Sequence, residues 1–433
     1  MRRSPHDREI VRLALPALGA LAAEPLYVLV DTAIVGHLGT SQLAALALAG
    51  VLLSTLATLC NFLAYGVTAQ VARLHGAGEE ERAGAVAAQA LWVSVGLGVM
   101  LAALTVACAR PAITALGGDG EVGDLATTYL RIGALGLPFA LIALAGQGYL
   151  RGIEQLGTPL RILIAANTAN VVLEVVFVYG FDWGLPGSAW GTVIAQAGMG
   201  IAFALHLLAA PARSRRASWA GMRPLLRMGG ALVLRTGSLL AAFTLAGAIL
   251  ARIGAPSLGA HQIGFQLFIF LALVLDAIAI AGQVIVGRRL GAGDARGAHA
   301  AARRMIELSV GLGCVFAIAL MALRGVLPRL FTDDPLVHER AEAFWPLFAL
   351  MQPIGAAVFA LDGILLGAGE AGYLAASMVA ASAVFAVVAL LALHLDWGVV
   401  GVWAALVLLM IVRLVTCGAR FASGAWQRVG ATA

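Results

Sequence analysis

Long apolar runs separated by short polar segments account for almost the whole chain. A transmembrane helix needs about 20 consecutive, mostly apolar residues. The pattern therefore predicts twelve membrane-spanning helices. They are expected near residues 10–35, 42–72, 84–109, 123–150, 158–180, 187–210, 226–252, 257–287, 299–323, 336–366, 372–395 and 399–421.

The second half of the chain repeats the first. The segment VARLHGAGEEERA from Val71 recurs as VGRRLGAGDARGA from Val286, about 215 residues later, and DWGLPGSAWG from Asp182 recurs as DWGVVGVWAA from Asp396. Duplicated hydrophobic halves are typical of membrane transporters whose substrate path lies at the repeat interface. Because each half has an even number of spans, both halves have the same orientation in the membrane.

We therefore predict an all-α integral membrane protein with twelve transmembrane helices in two homologous six-helix lobes, related by a pseudo-twofold axis along the membrane normal. The lobes are expected at residues 1–210 and 223–433. The residues between them, 211–222, are predicted to form a cytoplasmic linker, because they belong to the longest polar interruption near the middle of the chain.

Composition agrees with a membrane protein and excludes other classes. Hydrophobic residues make up 61% of the 433 residues and charged residues 12%, with a mean hydropathy of +0.93, whereas soluble domains carry about 25% charged residues. The sequence has no polar stretch long enough for a soluble catalytic domain and no HExxH spacing. We expect no enzymatic activity and no cofactor apart from a coupling ion.

The basic residues predict the topology. All 28 are Arg, and most lie in short segments between spans, where the positive-inside rule places them in the cytoplasm. These segments include the linker and the arginines near the end of the chain, Arg413, Arg420 and Arg428. We therefore expect a multi-pass protein of the cell inner membrane with both termini cytoplasmic, and no nucleic-acid binding despite a pI of about 9.4.

Ionisable and amide side chains inside the spans are the candidate functional groups, since charge is costly at membrane depth. Glu24 and Asp31 lie two turns apart on the first span and share a helix face. Asn167, Asn170 and Glu174 form one polar stripe on the fifth span.

The repeat adds two polar positions that occur in both halves. Asp276 lies at the repeat position of Asn61, and Asp362 at that of Gln147. Amides in such bundles often only join helices, and that role is left open for Asn61 and Gln147. Arg235 either neutralises an acid such as Asp276 or has a function of its own.

Two different polar centres are predicted from these positions. Asp31, Asn170 and Glu174 form the first, in the first half of the chain. Asp276 and Asp362 form the second, in the other half.

At these residues the chain resembles the multidrug and toxic compound extrusion (MATE) family, in the branch of DinF-like proteins. The resemblance runs from the first span to the last, and its most specific part is the DTAIVGHLG stretch together with the twin repeat. The segments that carry it are LALPALGALAAEPLYVLVDTAIVGHLGT (13–40), NVVLEVVFVYG (170–180), GSAWGTVIAQ (187–196) and LDGILLGAGE (361–370). The resemblance implies an alternating-access antiporter with two six-helix lobes around a central cleft.

The resemblance also implies a cation site in the first lobe, formed here by Asp31, Asn170, Glu174 and Thr192, which would take H⁺ or Na⁺. Glu174 stands where the family usually has Asp, and its longer side chain shifts a sodium site or favours protonation. In the seventh span, where other branches carry a coupling acid, this chain has Arg235. Glu24 is also a candidate ion-coupling residue, because it shares a helix face with Asp31.

The predicted function is export of drug-like organic compounds, cationic or amphipathic, in exchange for H⁺ or Na⁺ by a monomer in the lipid bilayer. Candidates for the substrate cleft are Tyr27, Asn61, Gln147, Arg235, Asp276 and Asp362. The alternative is a flippase or exporter of a lipid-linked or metabolite substrate, which would favour a strongly cationic cleft and additional spans.

Overall fold

The computed structural model describes residues 5–431, and helices dominate this part of the chain. A π-helical turn, Val176–Gly180, follows α7, and a short 3₁₀ turn, Pro328–Leu330, precedes α12. The α-helices are α1 (Pro5–Gly36), α2 (Thr40–Cys60), α3 (Phe62–Gly76), α4 (Glu80–Ala115), α5 (Gly120–Ala134), α6 (Leu137–Gly152), α7 (Gly157–Val175), α8 (Gly184–Ala209), α9 (Trp219–Ile253), α10 (Ala255–Gly291), α11 (Ala295–Ala322), α12 (Pro335–Gly367), α13 (Ala371–His394) and α14 (Gly398–Ala422).

The predicted number of spans is confirmed. Within the described residues, 11 helical segments are long and apolar enough to cross a membrane, and the bent pair α5 and α6 makes 12. The all-α class is confirmed as well, and the span order follows the apolar runs of the sequence.

Two spans of the first half are interrupted where the sequence predicted continuous helices. The second span breaks at Asn61, between α2 and α3, and the fourth bends by 48° between α5 and α6. Pro138 has no N–H to continue the helical ladder, and Gly133 and Gly136 weaken the helix just before it. In the second half Pro353 also lies inside a helix, but α12 runs through it without interruption.

The chain divides into two compact units. One unit is Gly19–Gly229. The other combines Gly230–Ala433 with the beginning of α1, up to Leu18. The lobe limits predicted from the sequence, 1–210 and 223–433, stay a prediction.

The unit Gly19–Gly229 is held together by close helix packing. Gly148 and Gly152 on α6 lie one turn apart against α3, where an added Cβ at Gly148 would come within 2.6 Å of the Ala64 carbonyl oxygen. Small residues that let backbones approach are the usual basis of helix packing in membranes.

The other unit repeats this contact and adds an aromatic core. Gly363 and Gly367 on α12, the repeat counterparts of Gly148 and Gly152, pack against the α10 backbone. Nearby, the Phe344 and Trp403 rings stack with their centroids 4.3 Å apart. The first turns of α1 join this unit through ion pairs from Asp7 to Arg304 and from Glu9 to Arg288 and Arg289.

Candidate functional site

Three helices of the unit Gly19–Gly229 each contribute two polar side chains four residues apart, so that each pair shares one helix face. Glycine allows the helices to come together here: a Cβ at Gly191 of α8 would lie 3.1 Å from the side chain of Glu174. The pairs are Tyr27 with Asp31 on α1, Asn170 with Glu174 on α7, and Ser188 with Thr192 on α8.

Asp31 and Glu174 form a buried carboxyl pair at the centre of this site. Asp31 is 6% exposed and Glu174 is fully buried, at 0%. The Ser188 hydroxyl donates a hydrogen bond of 2.8 Å to Asp31 Oδ1. One turn further along α8, the Thr192 hydroxyl donates to Glu174 Oε1, so two hydroxyls on one face of this helix bind both carboxyl groups.

The hydroxyl of Thr192 connects the remaining polar groups. It donates to Glu174 Oε1 at 3.3 Å and accepts from Asn170 Nδ2 at 3.3 Å. The Tyr27 hydroxyl lies 3.0 Å from the same oxygen. Since the single Thr192 proton is given to Glu174, Tyr27 is the donor in its bond with Thr192.

Two buried oxygens in this cluster accept no hydrogen bond in the structure, Asn170 Oδ1 and Glu174 Oε2. A buried polar atom without a partner is costly and is a reason to consider a bound ion or proton at that position. Together with Asp31 and the Thr192 hydroxyl, they supply oxygen donors of the kind that bind a hard cation. The residues fit either a proton or Na⁺.

A cavity of about 220 Å³ lies next to the cluster in the same unit. Tyr27, Asn170 and Thr192 belong to its wall and also hydrogen-bond within the cluster. The remaining polar wall contains one carboxylate, Glu24, one hydroxyl, Thr58, and several amides, and the apolar wall includes Leu144. A molecule in the cavity would therefore contact groups that hydrogen-bond to Glu174, either directly or through Thr192.

The sequence candidates of the first half all lie at this site. Four of the predicted ion-coupling residues are in the polar cluster, whereas Glu24 faces the cavity. Asn61 and Gln147 line the cavity as well, and Gln147 also accepts a bond of 3.0 Å from Arg151. Ser188 was missed by the sequence analysis, although its position four residues before Thr192 is a signal that could have found it.

In the other unit, Asp362 is bound by two arginines. Arg235 Nη2 lies 2.5 Å from Asp362 Oδ2, and Arg413 Nη2 donates to the same oxygen. The side chains of Asp362 and Arg413 are 5% and 3% exposed, and that of Arg235 is 17% exposed. The charge of this buried carboxylate is thus compensated by two guanidinium groups.

This arrangement differs from the sequence picture in two respects. Arg235 donates to Asp362, an acid other than the example that the sequence offered; Asp276 lies half-buried on α10, and its pairing with Arg235 stays a prediction. Arg413, expected in a cytoplasmic segment, lies within α14 and is buried. Arg413 and Asp362 are 51 residues apart in the chain, so the local sequence pattern did not indicate this contact.

Comparison with known proteins relates the fold to a family. The family model described as MatE matches residues 16–176 and 238–391, one match in each half. Protein DETOXIFICATION 44, chloroplastic, of Arabidopsis thaliana is 31% identical, over 97% of this chain and 81% of that protein. DNA damage-inducible protein F of Escherichia coli (strain K12) is 28% identical, over 94% of this chain and 90% of that protein.

A solved structure shares the whole fold. It is described as the outward-facing conformation of a multidrug resistance MATE family transporter of the MOP superfamily. The two chains superpose with a TM-score of 0.87 at 21% identity, and the match covers 98% of this chain and 97% of the other.

Proposed function

The chain belongs to the MatE family of membrane transporters, and on that premise we propose that it is a secondary antiporter that exports small organic molecules in exchange for H⁺ or Na⁺. It is a multi-pass membrane protein and a transporter, not an enzyme. The observation that carries the proposal is the wall that the cavity and the carboxyl pair share, formed by Tyr27, Asn170 and Thr192.

Protonation of the carboxyl pair would reverse the hydrogen bonds in this wall. With Glu174 ionised, Thr192 donates to it and accepts from Tyr27. A protonated Glu174 can donate to Thr192, which frees the Thr192 proton. Thr192 then donates to the Tyr27 oxygen, and the Tyr27 proton turns toward the cavity. The ion and the substrate thus act on the same hydroxyl groups, which is the differential interaction that coupling requires.

The driving force is sufficient for export against a gradient. Each elementary charge that moves through 100 mV supplies about 2.3 kcal/mol. At about 1.4 kcal/mol per factor of ten, one ion sustains an outward concentration ratio of roughly 50 for a neutral substrate. Exchange of one ion for a monovalent cation moves no net charge, so it is driven by the concentration gradient of the ion alone.

Sodium would use the same atoms in another way. Asp31 and Glu174 supply the negative charge, Asn170 Oδ1 and the Thr192 hydroxyl supply neutral oxygens, and two of these oxygens are buried without a partner. Binding of Na⁺ would neutralise the pair as protonation does, so the two ions would compete.

The cavity supports a substrate with a positive charge and an apolar body. Glu24 is the acidic side chain of its wall, next to amides and apolar side chains. A ligand cation would meet one carboxylate there, with Tyr27 as an aromatic partner.

The alternative, export of a lipid-linked or metabolite substrate with an acidic group, is favoured by one observation. Arg235 and Arg413 converge on Asp362 in the other unit, and guanidinium groups recognise carboxylate and phosphate. Roles for Asp276 and Asp362 in the substrate path remain part of this proposal.

The expected setting is a monomer in the cell inner membrane with both termini in the cytoplasm, acting on drug-like molecules without a cofactor other than the coupling ion and without nucleic acid. The arginine-rich segments between spans support this orientation.

Transport in liposomes tests the proposal. Purified protein is assayed with a fluorescent cationic dye under a pH gradient or a sodium gradient, for the native chain and Asp31→Asn. Asp182→Asn is the matched control, because Asp182 is exposed and has a φ of 56°, a conformation that Asn tolerates.

We expect dye movement driven by one of the gradients, lost in Asp31→Asn and retained in Asp182→Asn. Dye binding to folded protein without movement under either gradient would overturn antiport of cations and favour the alternative substrate class.

A further inference from the structure

The segment that joins α8 to α9 and begins α9 concentrates positive charge. Residues 211–230 contain five arginines and no acidic residue. All five arginine side chains are exposed: Arg213, Arg215, Arg216, Arg223 and Arg227. Arg213 also forms an ion pair of 2.5 Å with Glu81 on α4.

The backbone of this segment is fixed to α4. Gln89 donates from Nε2 to the Arg216 carbonyl at 2.9 Å and accepts the Ser218 amide at Oε1, also at 2.9 Å. The Trp92 indole donates to the Arg215 carbonyl at 2.9 Å. The arginines therefore extend from an ordered backbone, which lowers the entropy lost when they bind a ligand.

The first turns of α9 have two different faces. Met222 packs against a cluster that includes Leu63 and Val93, and Leu225 is 2% exposed. Trp219, Arg223 and Arg227 follow one another at intervals of four residues and lie on the exposed face. Trp219 is 70% exposed, so this face offers an aromatic ring beside two guanidinium groups.

The length of α9 places this face at the membrane surface. Its 35 residues span about 52 Å, whereas the hydrocarbon core is about 30 Å thick. The apolar residues 230–253 are long enough to cross the core, which leaves residues 219–229 at the level of the headgroups. Tryptophan is enriched at that level.

We propose that the linker surface, formed by Arg213, Arg215, Arg216, Trp219, Arg223 and Arg227, binds the headgroups of anionic phospholipids. Guanidinium groups form paired hydrogen bonds with phosphate oxygens. Basic segments beside a transmembrane helix attract anionic lipids, with a contribution of about fivefold in binding from each arginine. A lipid bound here stabilises the docked linker and the start of α9.

Lipid binding to the purified full-length protein tests this proposal. Native mass spectrometry follows titration with phosphatidylglycerol or, for comparison, phosphatidylcholine. The test variant is Arg216→Gln with Arg223→Gln and Arg227→Gln. The matched control replaces three exposed arginines of the α11–α12 region, Arg324, Arg329 and Arg340, by Gln, and circular dichroism checks that all variants are folded.

The native chain should bind phosphatidylglycerol more tightly than phosphatidylcholine, and the test variant should bind it on the order of 100-fold more weakly. The single variant Arg223→Gln should lose about fivefold, and the control should match the native chain. The proposal is overturned if the control loses as much as the test variant, or if neither variant loses affinity. Displacement of the lipid by an equal concentration of inorganic phosphate would also overturn it, because that result assigns the surface to soluble anions.

Discussion

The Thr192 hydroxyl joins the cavity wall to the carboxyl pair, and Thr192→Val removes that hydroxyl while keeping the shape of the side chain. Three hydrogen bonds are lost, to Tyr27, Asn170 and Glu174. At about 0.6 kcal/mol for an average side-chain hydrogen bond within a membrane protein, the sum is about 2 kcal/mol. Because Asn170 and Glu174 are buried and lose partners, the cost should reach about 3 kcal/mol.

The assay is equilibrium unfolding of the purified protein in lipid micelles, combined with ion-driven dye transport. Thr168→Val is the matched control, since the Thr168 hydroxyl is exposed and bonds only the carbonyl one turn back on the same helix. A double-mutant cycle of Thr192→Val with Tyr27→Phe should give a coupling energy of about 1 kcal/mol.

Loss of the connection should also uncouple transport, so that dye efflux falls at least tenfold while dye binding falls much less. If Thr192→Val unfolds at the same denaturant concentration as Thr168→Val and still couples ion to dye, the hydrogen-bond chain through Thr192 does not exist as described.

Two further predictions concern the charged groups. Glu174→Gln removes one acid and should reduce ion-driven transport at least tenfold. Glu174→Asp has a shorter side chain and should raise the ratio of sodium-driven to proton-driven dye flux. An unchanged ratio in Glu174→Asp would contradict this role for the side-chain length. Asp362→Asn leaves the buried guanidinium group of Arg413 and the partly buried one of Arg235 without their carboxylate and should cost about 3–5 kcal/mol of stability in an unfolding titration. Arg413→Gln leaves Asp362 with Arg235 and should cost about 2–3 kcal/mol, so the reverse order would refute the charge balance inferred at Asp362.

The spans and the first polar cluster were accessible from the sequence because they depend on local pattern. Apolar runs of sufficient length identify the helices, and the interval of four residues between Asn170 and Glu174 places both on one face. Asp31 was grouped with this pair because all three lie inside spans of the first half, and the resemblance to a known family then added Thr192.

Long-range pairings and helix breaks were not accessible in this way. Asp362 meets Arg413 across 51 residues and Arg235 across 127 residues, and nothing in the local pattern selects these partners among the other polar residues. The break at Asn61 falls within an apolar run, and one amide side chain in such a run does not by itself predict a break. Glu24 shares a helix face with Asp31 by sequence, yet it lines the cavity while Asp31 lies in the carboxyl cluster.

The interruptions in the second and fourth spans give the two copies of the ancestral unit different mechanical properties. At Asn61 and at Leu135 and Gly136, backbone amides bond the carbonyl three residues back, the tighter geometry of a 3₁₀ turn, which is less stable than the α-helical one. The counterparts of these spans, α10 and α12, are single helices. One copy therefore has rigid rods where the other has joints, and in the jointed copy Asn61 itself lines the cavity. Bending at this joint would change the shape of the cavity wall within its own unit.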